Sequence, residues 1–239
     1  MLVGDVVTRV RRQLVEATGS YWSDTELIDL INDAERDFVN KTRPLFGQAY
    51  LDTVIGKQVY PLPATFLSSG PVFYNDLQGT TNQWYRLIPT TIEKIAQTDP
   101  DFIDTTVGNQ DKPREYMIWN KSMYLIPTPN VAGSSNITCF FRARPSPFDS
   151  SSPVTAEEQD LNIDDSFVDA IVSFVLWKAW AKDQEPKLSM EHKVYYEDGI
   201  KEARRWLKKV SMDMRNKLDI DSPLRFTLGD NFTKGFYPF

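Results

Sequence analysis

Residues 167–181, FVDAIVSFVLWKAWA, are apolar on nearly every side, interrupted by Asp169, Ser173 and Lys178. A helix without a polar face cannot lie at a surface, so this segment predicts the centre of a group of helices. It falls short of the roughly 20 apolar residues that cross a bilayer, and no membrane span is expected.

The chain supplies the surrounding helices at both ends. Val3, Val7, Val10, Leu14 and Ala17 recur at steps of four and three, the stripe of one buried helix face, and Thr18-Gly19-Ser20 breaks it. In the next helix Ser23 and Glu26 have capping-box spacing, with Trp22 and Leu27 placed for a hydrophobic staple. Leu27, Leu30, Ile31, Ala34 and Phe38 carry the buried stripe on, and Arg43-Pro44 ends it. After a break at Asp183–Pro186, a last helix is expected over 187–217. Tyr196, Ile200, Ala203, Leu207, Val210 and Met214 form its packing seam. It would be about 45 Å long.

Between these ends the period shortens to two. AYLDTVI (49–55), QVYPL (58–62), PVFYN (71–75), WYRLIP (84–89), EYMIWN (115–120), SMYLIP (122–127) and NITCFFRAR (136–144) read as strands, and Asn120-Lys121 as the turn of a hairpin. A short helix is expected within 90–104. The segment 145–160 is rich in Pro, Ser and acids, and has no apolar period. The expected fold class is therefore α+β. A four-helix bundle is built from N-terminal helices (1–44) and C-terminal helices (164–218), carrying an inserted, mostly antiparallel β module (45–150). A linker (151–163) and an extended C-terminal tail (219–239) complete the organisation.

The inventory for chemistry is thin. His192 is the only histidine, among charges on a helix, and Cys139 the only cysteine, in an apolar strand. A zinc site of the usual composition cannot form from them, no GxSxG elbow presents a serine, and no glycine-rich phosphate loop occurs. The carboxylates Asp99, Asp101 and Asp104, Glu157, Glu158 and Asp160, and Asp164 and Asp165 sit where caps and solvated turns favour them. No catalytic, cofactor-binding or metal-binding residue is expected. A lone cysteine excludes an intrachain disulfide, and no secretory signal is read at the N-terminus, so assembly in a reducing cytoplasm is expected. The net charge of −6 argues against wrapping duplex nucleic acid.

Two segments point to contact with other molecules. Arg204, Arg205, Lys208, Lys209, Arg215 and Lys217 gather on the last helix. They read as a solvated face with cations favoured near the helix C-terminus, or as a contact for an acidic protein or DNA phosphates. Beyond them, Phe226, Leu228, Phe232, Phe236, Tyr237 and Phe239 crowd a tail whose Gly229, Gly235 and Pro238 prevent a helix. Burial of these rings and the entropy of ordering the segment nearly cancel, so the tail should order only against a preformed groove. That groove lies on its own chain or on a neighbour.

WSDTELIDLINDAERDF (22–38) resembles the N-terminal helices of bacteriophage head-to-tail adaptor (connector) proteins. YPLPATFL (60–67), PREYMIWNKSMYLIPTPN (113–130) and DDSFVDAIVSFVLWKAWAKD (164–183) follow in that family's order. The resemblance covers the chain to about residue 185; the aromatic tail matches no pattern in it. It implies a structural virion protein at the portal vertex. Its homo-oligomeric ring, usually of twelve copies, joins the capsid portal protein to tail or nozzle proteins. Genomic DNA passes through the ring without sequence-specific binding. Alternatives are another tail-completion ring and, from a different class, a carboxylate-based hydrolase such as a glycosidase.

Overall fold

The computed structural model describes residues 1–15, 21–76, 83–103 and 109–220. The helices are α1 (Val3–Gln13), α2 (Asp24–Thr42), α3 (Ile92–Thr98), α4 (Pro153–Glu157), α5 (Val168–Lys182) and α6 (Pro186–Ile220). The strands are β1 (Phe46–Thr53), β2 (Val59–Pro61), β3 (Phe66–Asp76), β4 (Gln83–Pro89), β5 (Gln110–Asp111), β6 (Glu115–Trp119), β7 (Ser122–Ile126), β8 (Thr128–Pro129) and β9 (Gly133–Ala143).

The segment without a polar face is α5, and it sits where its composition requires. Val168, Ala170, Ile171, Val172, Phe174, Val175, Leu176 and Ala179 are all buried, and α1, α2 and α6 pack around it. α6 comes closest. A Cβ on Gly199 would lie 2.8 Å from the Ala170 Cβ, so only glycine permits this approach. α2 starts on Ser23, whose side chain accepts from the Glu26 N–H at 3.2 Å. The reciprocal half of the expected capping box is replaced: the Glu26 carboxylate pairs with Lys182 of α5. Arg43 ends α2 in the left-handed conformation at φ 55°, just before Pro44.

The strands form one seven-stranded sheet in the order β1-β9-β3-β4-β6-β7-β2, plus the two-stranded pair β5-β8. Neighbours in the large sheet run antiparallel except β4 and β6, which are parallel. Asn120 and Lys121, at φ 46° and 59°, make the two-residue turn between β6 and β7, the left-handed pair that suits the twist of a hairpin. The sheet curls about a core of Tyr60, Val72, Tyr74, Leu87, Met123 and Ile137, among others, and nearly closes into a barrel.

This corrects the expected fold. The chain is not a four-helix bundle with an inserted β module. Its described residues form six α-helices and a large, nearly closed sheet with a core of its own. The physical reason lies in β3 and β9, each 11 residues long. Their register shifts at Phe66/Ser68 and Ser69/Val72 let the sheet bend round on itself. Residues 151–163, expected as a linker, carry α4 and bury Ala156, Leu161 and Ile163 against the helices.

Candidate functional site

The polar residues of α2 that face inward hold the returning chain. Glu35 is 1% exposed and accepts from the Asn162 N–H at 2.8 Å and from Asn162 Nδ2 at 2.6 Å. Burial pushes its carboxyl above the usual range, against those two donors. Asn162 Nδ2 also donates to the Ser146 C=O at 3.0 Å. Two residues on, the Tyr196 hydroxyl of α6 donates to Asp37 at 2.6 Å, and Lys41 pairs with the same carboxylate. Burial, and then Asp37, push the Tyr196 phenol far up.

The expected cationic face divides. Arg204, itself exposed, reaches across to α2 and donates from Nε and Nη2 to the Lys41 C=O at 3.1 and 3.0 Å, closing the C-terminal end of α2. Arg205, Lys208 and Lys209 are exposed along α6. Arg215 and Lys217 belong to α6, and their side chains lie outside the described residues. So do Val210 and Met214 of the expected seam; Ala203 is the last buried residue of the described part of α6. The tail residues Phe226, Leu228, Phe232, Phe236, Tyr237 and Phe239 lie outside the described residues as well.

Three of the acids, and the lone histidine and cysteine, have defined neighbours in the fold. Asp164 accepts from the Ser166 N–H at 2.9 Å, Asp165 pairs with the Met1 ammonium at 2.7 Å, and Glu157 packs against Gly4. Asp104 lies outside the described residues. His192 is half-buried, not fully solvated: its ring packs edge-on against Tyr195, and burial lowers its pKa. Cys139 is fully buried in β9, its thiol pushed up to about 11 by that burial. Among the described residues no group of His, Cys, Asp and Glu could hold a metal ion, and no helix is long and apolar enough to cross a membrane.

One surface escaped the sequence reading. The outward row of β1 exposes Phe46, Gln48 and Tyr50, and beside it on β9 stand Arg142, Phe140 and Thr138 in register. Arg142 lies 3.7 Å over the Phe46 ring, and Phe73 of β3 meets Phe140 edge-on at 6.1 Å. The signal was present: Phe46, Gln48 and Tyr50 alternate with Gly47, Ala49 and Leu51. The strand was expected to begin only at Ala49, which left Phe46 out.

A comparison with curated proteins returns no match. The sequence matches the family described as SU10 adaptor protein over residues 1–225, further than the resemblance to residue 185 and short of most of the aromatic tail. The chain belongs to the SU10 adaptor protein family, a phage head-to-tail adaptor family and hence one of structural virion components.

Proposed function

We propose that this chain forms a homo-oligomeric ring, in the twelve copies its resemblance implies, that joins the capsid portal to the tail and extends the DNA channel. Family membership supports this, and one structural observation favours it. After Ala203, α6 runs on through residues 204–220 with no further buried residue among those described. That stretch is about 25 Å long; at its start Trp206 still meets Phe167 edge-on at 5.5 Å, while Arg205, Lys208 and Lys209 stay exposed. A helix of that kind serves a neighbour.

On this reading the protein is structural, without a reaction of its own. Arg205, Lys208 and Lys209, continued by Arg215 and Lys217, meet an acidic surface of the portal, of a tail or nozzle protein, or of the adjoining subunit. The net charge of −6 lets DNA slide through without adhering. The helices at 1–44 and 164–218 build the ring, and the β-rich region at 45–150 faces a partner. The ring is assembled in the host cytoplasm and stays at the portal vertex of the virion.

The test is native mass measurement of the purified chain, alone and mixed with the portal of the same phage. A discrete high-order ring, or assembly that depends on the portal, is expected. A monomer indifferent to the portal overturns the reading.

A further inference from the structure

The two end strands of the sheet are finished differently. At the β2 end, the Gln58 C=O accepts from Leu125 and the Leu62 N–H donates to the Lys121 C=O, so Val59 and Pro61 hold the outward positions. Pro61 has no N–H to offer, and the strand is three residues long. Such an edge resists pairing.

The β1 end has no such protection. The Ala143 N–H donates to the Leu45 C=O at 3.0 Å. In an antiparallel ladder that parity turns the backbone of Gly47, Ala49 and Leu51 toward β9, and that of Phe46, Gln48 and Tyr50 away from it. Among the described residues no strand or loop pairs with these outward groups. The edge is unbulged from Phe46 to Leu51 and carries neither Pro nor Lys. Phe46 and Tyr50 are 68% and 60% exposed on it. A long, flat, apolar edge like this is a template for a further strand.

We propose that the β1 edge receives residues 224–228 of a second copy of this chain, Leu-Arg-Phe-Thr-Leu, as an added strand. The segment alternates: Leu224, Phe226 and Leu228 share one face in an extended chain, and Arg225 and Thr227 share the other. Pro223 precedes it and Gly229 follows it. The apolar face continues the row of Phe46 and Tyr50.

The donor is another copy because of where α6 leads. α6 runs in the same direction as α2, since Tyr196 bonds Asp37 and Arg204 bonds the Lys41 carbonyl. It then continues past the end of α2 as far as Ile220, toward the side on which the ring supplies a neighbour. The proposal rests on the ring reading, which supplies the neighbour.

Two full-length variants, Gln48→Cys in one chain and either Phe226→Cys or Leu228→Cys in the other, are mixed with the portal and oxidised. The buried Cys139 stays in place. A disulfide between distinct chains is expected from one of the two pairings. No bond from either pairing overturns the proposal, and so does a bond within a doubly substituted chain that survives dilution. Gln48→Pro provides the second arm, because it removes an outward N–H without taking a ladder bond from β9. It should weaken assembly at least tenfold while circular dichroism and melting stay unchanged. Unaltered assembly overturns the proposal. If the wild type forms a ring but no crosslink appears, the strand proposal fails and the ring reading stands. A wild-type chain that remains monomeric beside the portal overturns both.

Discussion

Asn32 of α2 and the backbone of Phe148 hold each other twice. Asn32 Nδ2 donates to the Phe148 C=O at 2.9 Å, and the Phe148 N–H donates to Asn32 Oδ1 at 2.8 Å. A primary amide used this way mimics a strand neighbour and satisfies both backbone groups of a part-buried residue. Asn32→Ala should therefore cost about 2–3 kcal/mol, two hydrogen bonds plus the two groups left unpaired. Urea denaturation measures it, and Asn32→Asp, which keeps only the acceptor, should recover part of the loss.

Glu35 makes stability depend on pH. Its carboxyl is raised above the ordinary 4.5 by burial, so the folded state binds its proton more tightly than the unfolded chain does. That contribution is complete below the unfolded value and is lost as pH rises through the folded one. The stability of wild type relative to Glu35→Gln should therefore fall as pH rises through and above the ordinary carboxylate range. Denaturant midpoints across that range would show it, and a pH-independent difference would contradict it.

The cationic residues of α6 should separate by role. Arg204→Ala removes two charge-assisted bonds to the end of α2 and should cost about 1–2 kcal/mol, read as a lower melting temperature. Arg205→Ala and Lys209→Ala, whose side chains are exposed, should stay within about 0.5 kcal/mol of wild type.

Gly199→Ala should force α5 and α6 apart, because the new Cβ would stand 2.8 Å from that of Ala170. A cost of about 1–3 kcal/mol is expected. Ala170→Gly should relieve it in the double variant, giving a coupling energy in a thermodynamic cycle.

Local features were the legible ones. The all-round apolar run of α5, the Ser23 cap and the Asn120-Lys121 turn each depend on residues a few positions apart, and each is present. The shape of the sheet was not legible, because β9 pairs with β1 and β3, strands far from it in the chain. β3 begins at Phe66, ahead of the run PVFYN. Ser68, Ser69 and Gly70 show no apolar alternation and become strand through their pairing with β9. Ala156, Leu161 and Ile163 were equally hidden, since no period links them and their burial comes from packing against distant helices. The polar clamps of α2 were invisible for a related reason: Asn32 and Glu35 bind a loop more than a hundred residues away in the chain.

The chain passes between the helices around α5 and the sheet at 43–46 and at 143–148, and these two passages lie side by side. Arg142 Nη1 donates to the Arg43 C=O at 3.0 Å, Ala143 N–H to the Leu45 C=O, and Asn32 grips Phe148. A single covalent crossing would act as a swivel. Two crossings bonded to each other and to α2 leave no free axis of rotation. A torque on the sheet would therefore load these bonds before it could turn the sheet against the helices.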